Sequence, residues 1–153
     1  MSAKPRDLLK TRSQRVGEVL SNVHLKAGQA NGQVVISGCD VAVGTTAAKV
    51  KVTAGEVVIA GAIATIALAD NQTLAAAATT AAGQFRKVLV EVNAAGAVSF
   101  KYGAVSTVDQ ASALLPAGDA DKISVGYLEI PASFTADTTA VTSGMCKDMA
   151  YHA

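Results

Sequence analysis

Groups able to do chemistry are few in this 153-residue chain, and they are scattered. The histidines are His24 and His152, and neither has a second histidine, a cysteine or a carboxylate at ligand spacing. Cys39 and Cys146 lie far apart and are too few for a disulfide framework. A catalytic cysteine works as its thiolate and needs a neighbouring base, which the two distant histidines do not offer Cys39. The run Gly38-Cys39-Asp40-Val41-Ala42-Val43-Gly44-Thr45-Thr46 partly matches a phosphate-binding loop. It lacks the Gly-Lys-Ser/Thr ending that grips phosphates, and no long helix follows. A Gly-x-Ser-x-Gly nucleophile elbow is absent. Asp109, Asp119, Asp121 and Asp137 fall among loop residues, where carboxylates are ordinarily solvated, and none pairs with another as acid and base. Asp119 and Asp121 could share a calcium ion, but the run holds too few oxygen ligands. Asn71-Gln72-Thr73 matches a glycosylation acceptor, which matters only on export. A non-enzyme without metal or cofactor is therefore expected.

The elements that hold these residues centre on one hairpin. Val88, Val90 and Val92 alternate with Lys87, Leu89 and Glu91, and Val98, Phe100 and Tyr102 alternate with Ser99 and Lys101. This is the period of half-buried strands. A two-residue loop would set Val90 opposite Ser99 and mix valines with Ser99 and Lys101. A three-residue loop, Ala94-Ala95-Gly96, sets Val92 by Val98, Val90 by Phe100 and Val88 by Tyr102. One face is then wholly apolar, and a slip of one residue would destroy it. The last loop position needs a left-handed residue, which Gly96 supplies.

Half of the residues are hydrophobic, yet aromatics make up 4% and tryptophan is absent, so the apolar mass is alanine and valine. Small side chains favour close packing of sheets or subunits over deep pockets. A net charge of +1 gives no general reason for nucleic-acid binding, but it conceals an asymmetry. Residues 1–26 carry six basic and two acidic residues, net +4; the remainder carries seven and ten, net −3. Basic residues confined to one arm and scarce aromatics argue against sequence-specific nucleic-acid readout. The N-terminus has no apolar signal core, so export by that route is not expected. The longest apolar run, residues 57–69, falls short of the about 20 residues that a spanning helix needs. A soluble protein with reduced thiols follows as the expectation.

In chain order, residues 5–23 read as a helix. Pro5 suits the first turn, Asp7 the positive end of the dipole, and Leu9, Val16, Leu20 and Val23 form one stripe with Val19 beside it. Lys10, Arg6, Arg12 and Arg15 occupy other faces. Such a helix is marginal alone and needs something to dock on. Residues 27–32 form a flexible connector. Short strands follow over 33–37, over 41–43 as a continuation across a kink at Gly38, and over 49–53 facing the surface. A turn at Thr53-Ala54-Gly55 returns the chain over 56–59. Residues 63–68 read as a buried strand with a turn at Asp70-Asn71. The alanine-rich 73–82 segment admits two readings: a helix capped by Asp70 or Asn71 and stopped by Gly83, which alanine's propensity favours, or an extended strand feeding the hairpin, which the β-rich context favours. A long connection over 103–120, a strong strand over 122–130 ended by Pro131, an anchor at Phe134 and a surface extension over 145–153 complete the chain. The expected fold is mainly β: an antiparallel β-sandwich body over 33–144 preceded by a short N-terminal helical arm over 1–26.

Part of this order resembles a domain of tailed-bacteriophage virion structural proteins. The matching phrases are Ala81-Ala82-Gly83, Phe85, the valines Val88 to Val92, Ala94-Ala95-Gly96-Ala97-Val98, Leu115-Pro116, Lys122 to Tyr127, Leu128 to Ile130, and Thr138-Thr139. They cover about residues 75–140 and leave out the arm. The resemblance implies a non-catalytic β domain, often trimeric, of the kind found in head decoration (cement) proteins and head fibres. The function expected is that of a capsid decoration protein on the virion surface, made in the host cytoplasm. Its partners would be the major capsid protein and neighbouring copies in a homotrimer, with no membrane. Lys4, Arg6, Leu8, Leu9, Lys10, Arg12, Arg15 and Leu20 would anchor it. The rival is a tail or fibre component that binds a host surface glycan, against which the scarcity of aromatic faces weighs.

Overall fold

The computed structural model describes residues 33–149, and the helical arm expected before them lies outside the described residues. The described chain is mainly β, with ten strands in three antiparallel sheets. They are β1 (Val34–Gly38), β2 (Val41–Val43), β3 (Val50–Val52), β4 (Gly55–Ile59), β5 (Ala62–Ile66), β6 (Ala69–Gln72), β7 (Arg86–Asn93), β8 (Val98–Tyr102), β9 (Lys122–Ile130) and β10 (Cys146–Asp148). Short 3-10 turns occupy Ala76–Ala78 and Ser143–Met145. The sheet orders are β1-β4-β5, β2-β3-β6 and β10-β9-β7-β8.

The hairpin takes the three-residue loop. Val88 pairs with Tyr102, Val90 with Phe100 and Val92 with Val98. Asn93 N donates to Ala97 O at 3.1 Å, and Gly96, at φ +84°, closes the loop. The Asn93 side chain fastens it further, accepting from Ala95 N and Ala97 N at 3.0 and 2.9 Å. In β9 the apolar phase changes midway. Ile123 and Val125 face the core in one half, Leu128 and Ile130 in the other. A bulge causes the change: Val90 pairs with Gly126 but Glu91 with Ser124, so Val125 is the extra residue. Pro131 follows β9, as expected.

Valines from all three sheets meet in one core. Val35 and Val57, Val50 and Val52, and Val88, Val90 and Val92 belong to a single buried cluster with Ile66, Leu128, Ile130 and Phe134. Each buried side chain of this size contributes about 1.5–3 kcal/mol.

Several expectations need correction. Residues 41–43 do not prolong β1: Gly38 and Cys39, both at positive φ, turn the chain out of the first sheet, and β2 begins the second. The return over 56–59 does not pair with β3; β4 joins β1 and β5, and β3 joins β2 and β6. Nor is β3 simply a surface strand, since Val50 and Val52 are fully buried. The segment 63–68 is not a buried strand either. β5 is an edge strand whose Ile63 is 66% exposed, and Asp70 and Asn71 belong to β6.

The alanine-rich 73–82 segment is extended on both sides of one 3-10 turn. Its backbone groups are taken by outside partners, which leaves no helical ladder. Ala75 N donates to Tyr102 Oη at 2.9 Å, and Thr80 N to Phe134 O at 2.9 Å. At the other end, the surface extension expected from residue 145 is partly built into the body. Met145 is buried, and Cys146, Lys147 and Asp148 pair with Leu128, Tyr127 and Gly126 of β9.

The β4–β5 hairpin turns through Ala60 and Gly61, both at positive φ (+52° and +79°), because Ile59 pairs with Ala62. A mirror-type two-residue turn of this kind favours Asn-Gly. Alanine bears a left-handed strain of about 1–2 kcal/mol there. Ala60→Asn should therefore stabilise the protein by about 1 kcal/mol, a rise in Tm of about 2–4 °C by thermal unfolding. An unchanged or lower Tm would show that this turn is not strained.

Candidate functional site

Strand β7 presents two faces. Val88, Val90 and Val92 go to the core; Leu89 and Glu91 go to the other side and are nevertheless buried. Their cover is the long connection over 103–121, which crosses the outer face of the β7-β8-β9 region as a strap. It starts with Gly103 N donating to Lys87 O at 2.9 Å and Arg86 Nη1 donating to Gly103 O at 2.9 Å. Phe85 and Ser106 then exchange two backbone bonds of 2.8 Å. Gln110 Nε2 donates to Arg86 O at 3.1 Å, and Ala113 is buried beneath.

The far end of the strap is held by charge. Asp119 N donates to Glu91 Oε2 at 2.7 Å, and the Asp119 carboxylate takes Lys101 Nζ at 2.8 Å and Lys122 Nζ at 3.0 Å. Gln33 Nε2 donates to Ala120 O at 2.9 Å, which ties the strap to the start of β1. The strap lies so close that a Cβ at Gly118 would sit 2.9 Å from Ser124 Oγ and 3.0 Å from Glu91 Oε2. Only glycine fits there without displacement.

Burial pushes the Glu91 carboxyl up, against the lowering effect of the Asp119 N–H; the neighbouring lysines bring Asp119 down. Among the described residues, Glu91 Oε1 and the buried Ser99 Oγ on the opposing strand have no hydrogen-bond partner. A carboxyl held above its usual range is a feature of general acids. Here the group is wholly enclosed by the strap, so a reactant cannot reach it and it acts as a pin.

The other candidates are placed as follows. Cys39 is buried, and burial with the adjacent Asp40 raises its thiol to about 11, so it stays protonated at neutral pH. Burial raises Cys146 as well. Both thiols are free. Asp109 caps the strap's own turn by accepting from Ser112 N at 2.7 Å, and Asp137 pairs with Lys49. Asp119 and Asp121 form no joint cation site, because Asp119 is committed to the two lysines. The arm residues Lys4, Arg6, Leu8, Leu9, Lys10, Arg12, Arg15 and Leu20, together with His24 and His152, lie outside the described residues.

Among the described residues the exposed large apolar side chains are Ile63 in β5, Leu68 between β5 and β6, and Val108, Leu114 and Leu115 in the strap. A shallow depression opens between residues 104–108 and 112–114 of the strap. Among the described residues no helix is long and apolar enough to cross a membrane, and no cluster of three or more metal-binding side chains occurs. Sequence reasoning missed Glu91, which in the alternation reads as an ordinary polar partner of the valines and carries no local sign of burial. It also missed Ile63, hidden in a uniformly apolar run. Comparison with known protein families, curated proteins and solved structures finds no match for this chain.

The raised Glu91 carboxyl has a definite pH signature. The folded state holds its proton more tightly than the unfolded state, so this group's contribution to stability falls as pH rises above about 4.3 and through the folded value. Asp119 has the opposite sign, and its contribution is lost only as pH falls below the usual aspartate range. Glu91→Gln keeps an acceptor for Asp119 N and removes the titration. The stability difference between Glu91→Gln and the unmodified protein, from urea unfolding at several pH values, should grow in the variant's favour as pH rises from about 4 to 7. A difference independent of pH would mean that the Glu91 carboxyl is not raised above its usual range.

Proposed function

We propose that this chain is a structural protein of a tailed-phage virion, a capsid decoration protein that binds the head surface without catalysis. The observation that carries the reading is the continuity of the resembling region. Its phrases are spread over about residues 75–140, yet the hairpin, the strap containing Leu115-Pro116 and strand β9 with Tyr127 fit together as one unit around β7. On this reading the three antiparallel sheets close as a β-sandwich, and copies associate around a threefold axis.

Three features support an assembly role. Alanine and valine supply the apolar mass, which suits close joins between copies. Ile63, Leu68, Val108 and Leu114 are more than half exposed, as contact residues would be in an unassembled copy. Charge is divided, with an arm of +4 and a remainder of −3, so the arm can add contact and avidity by reaching an acidic lattice or an adjacent copy. The anchoring residues on this proposal are Lys4, Arg6, Leu8, Leu9, Lys10, Arg12, Arg15 and Leu20.

Deleting residues 1–26 should abolish co-sedimentation with undecorated capsids while the β-type circular dichroism of the body persists. Binding by the truncated protein as tight as that of the full chain would remove the anchoring role. A copy number in purified particles matching the shell lattice is expected; a handful of copies per particle would instead assign the protein to the tail.

A further inference from the structure

Register sets Val34, Val58 and Ile63 in one row across β1, β4 and β5. The neighbouring row, Val35, Val57 and Ala64, faces the core. Side chains alternate along a strand, so the Val34-Val58-Ile63 row lies on the opposite, outer face. Exposure increases along that row, from buried Val34 through half-buried Val58 to exposed Ile63. Glu56 and Thr65 are paired on the same face and are exposed. An antiparallel sheet open to water normally carries polar residues on its wet face, and this row does not.

We propose that this face is the docking site of the chain's own N-terminal segment, with the predicted helix over 5–23 laying Leu9, Val16, Leu20 and Val23 on Val58 and Ile63. The place where the chain enters the body is the first reason. β1 begins at Val34, so the described chain starts at the end of this very row. Reach is the second. The ten residues from His24 to Gln33 can span up to about 33 Å when extended. From Val34 to Ile63 the row crosses two strand spacings, about 10 Å. A fold-back over the sheet is well inside that reach. Charge is the third: the +4 segment meets a face whose exposed ionisable residue is Glu56, on a remainder of −3.

Docking in this way covers both apolar surfaces at once. The helix, marginal alone, gains a partner for its stripe, and the sheet gains a cover for its unpaired row. The inference concerns the isolated protein and does not depend on the virion reading, so either can fail without the other.

Hydrogen exchange of the full chain, followed by mass spectrometry at two protein concentrations, tests it. Amides of residues 5–23 should exchange at least about tenfold more slowly than in an unstructured peptide, as expected for a docked segment. Ile63→Asp, at an exposed edge position, should return them to near-peptide rates while β7 and β9 amides stay protected. Leu20→Asp should do the same from the helix side. Peptide-like exchange in the unmodified protein overturns the proposal, and so does protection that survives both substitutions. Protection that appears only at the higher concentration overturns it too, because the face would then hold the arm of a second copy.

Discussion

Strand β7 is hydrogen-bonded along both edges, to β8 and β9, and covered on both faces, by the valine core and by the strap. A strand so enclosed must find cover or partners for nearly every polar group it carries, and among the described residues Glu91 Oε1 is left without one. Its alternation of valine with Leu89 and Glu91 therefore commits the chain to more than one buried face. The valines need a partner layer, which the other two sheets supply. Leu89 and Glu91 need a second cover, and the 103–121 connection has the length and polar groups to give one. The Asp119 N–H, the two lysines and the tight fit at Gly118 all follow from closing that cover over a carboxylate.

The same constraint explains why the strap is ordered although it lacks regular structure. Its backbone bonds at Gly103, Ser106 and Asp119 return to residues 85–91, so it behaves as part of the sheet layer. Its apolar side chains not used in that contact, Val108 and Leu114, are left outside. The covered side of β7 and the displayed apolar side of the strap are two sides of one arrangement.

The three short sheets extend the theme of shared cover. β1, β4 and β5 bury one face in the common core and present the other with valine and isoleucine in register. Exposure along that outer row rises from buried Val34 to exposed Ile63.

The hairpin's register, the extent of β9 and the stop at Pro131 were legible in the residues themselves. Alternation and turn chemistry act over a few positions, and in the hairpin a single register satisfies both. The allocation of short strands to sheets was not legible. β2, β3 and β4 have nearly the same valine-rich texture, and only the left-handed pair at Gly38 and Cys39 and the shared core decide which strand lies beside which. The exposure of Ile63 was hidden for a related reason, since an apolar residue reads alike whether it meets the core or an open face. Glu91 was the extreme case. Its burial depends on where a connection folds some 28 residues further on, and long-range closure of that kind leaves no local pattern in a sequence.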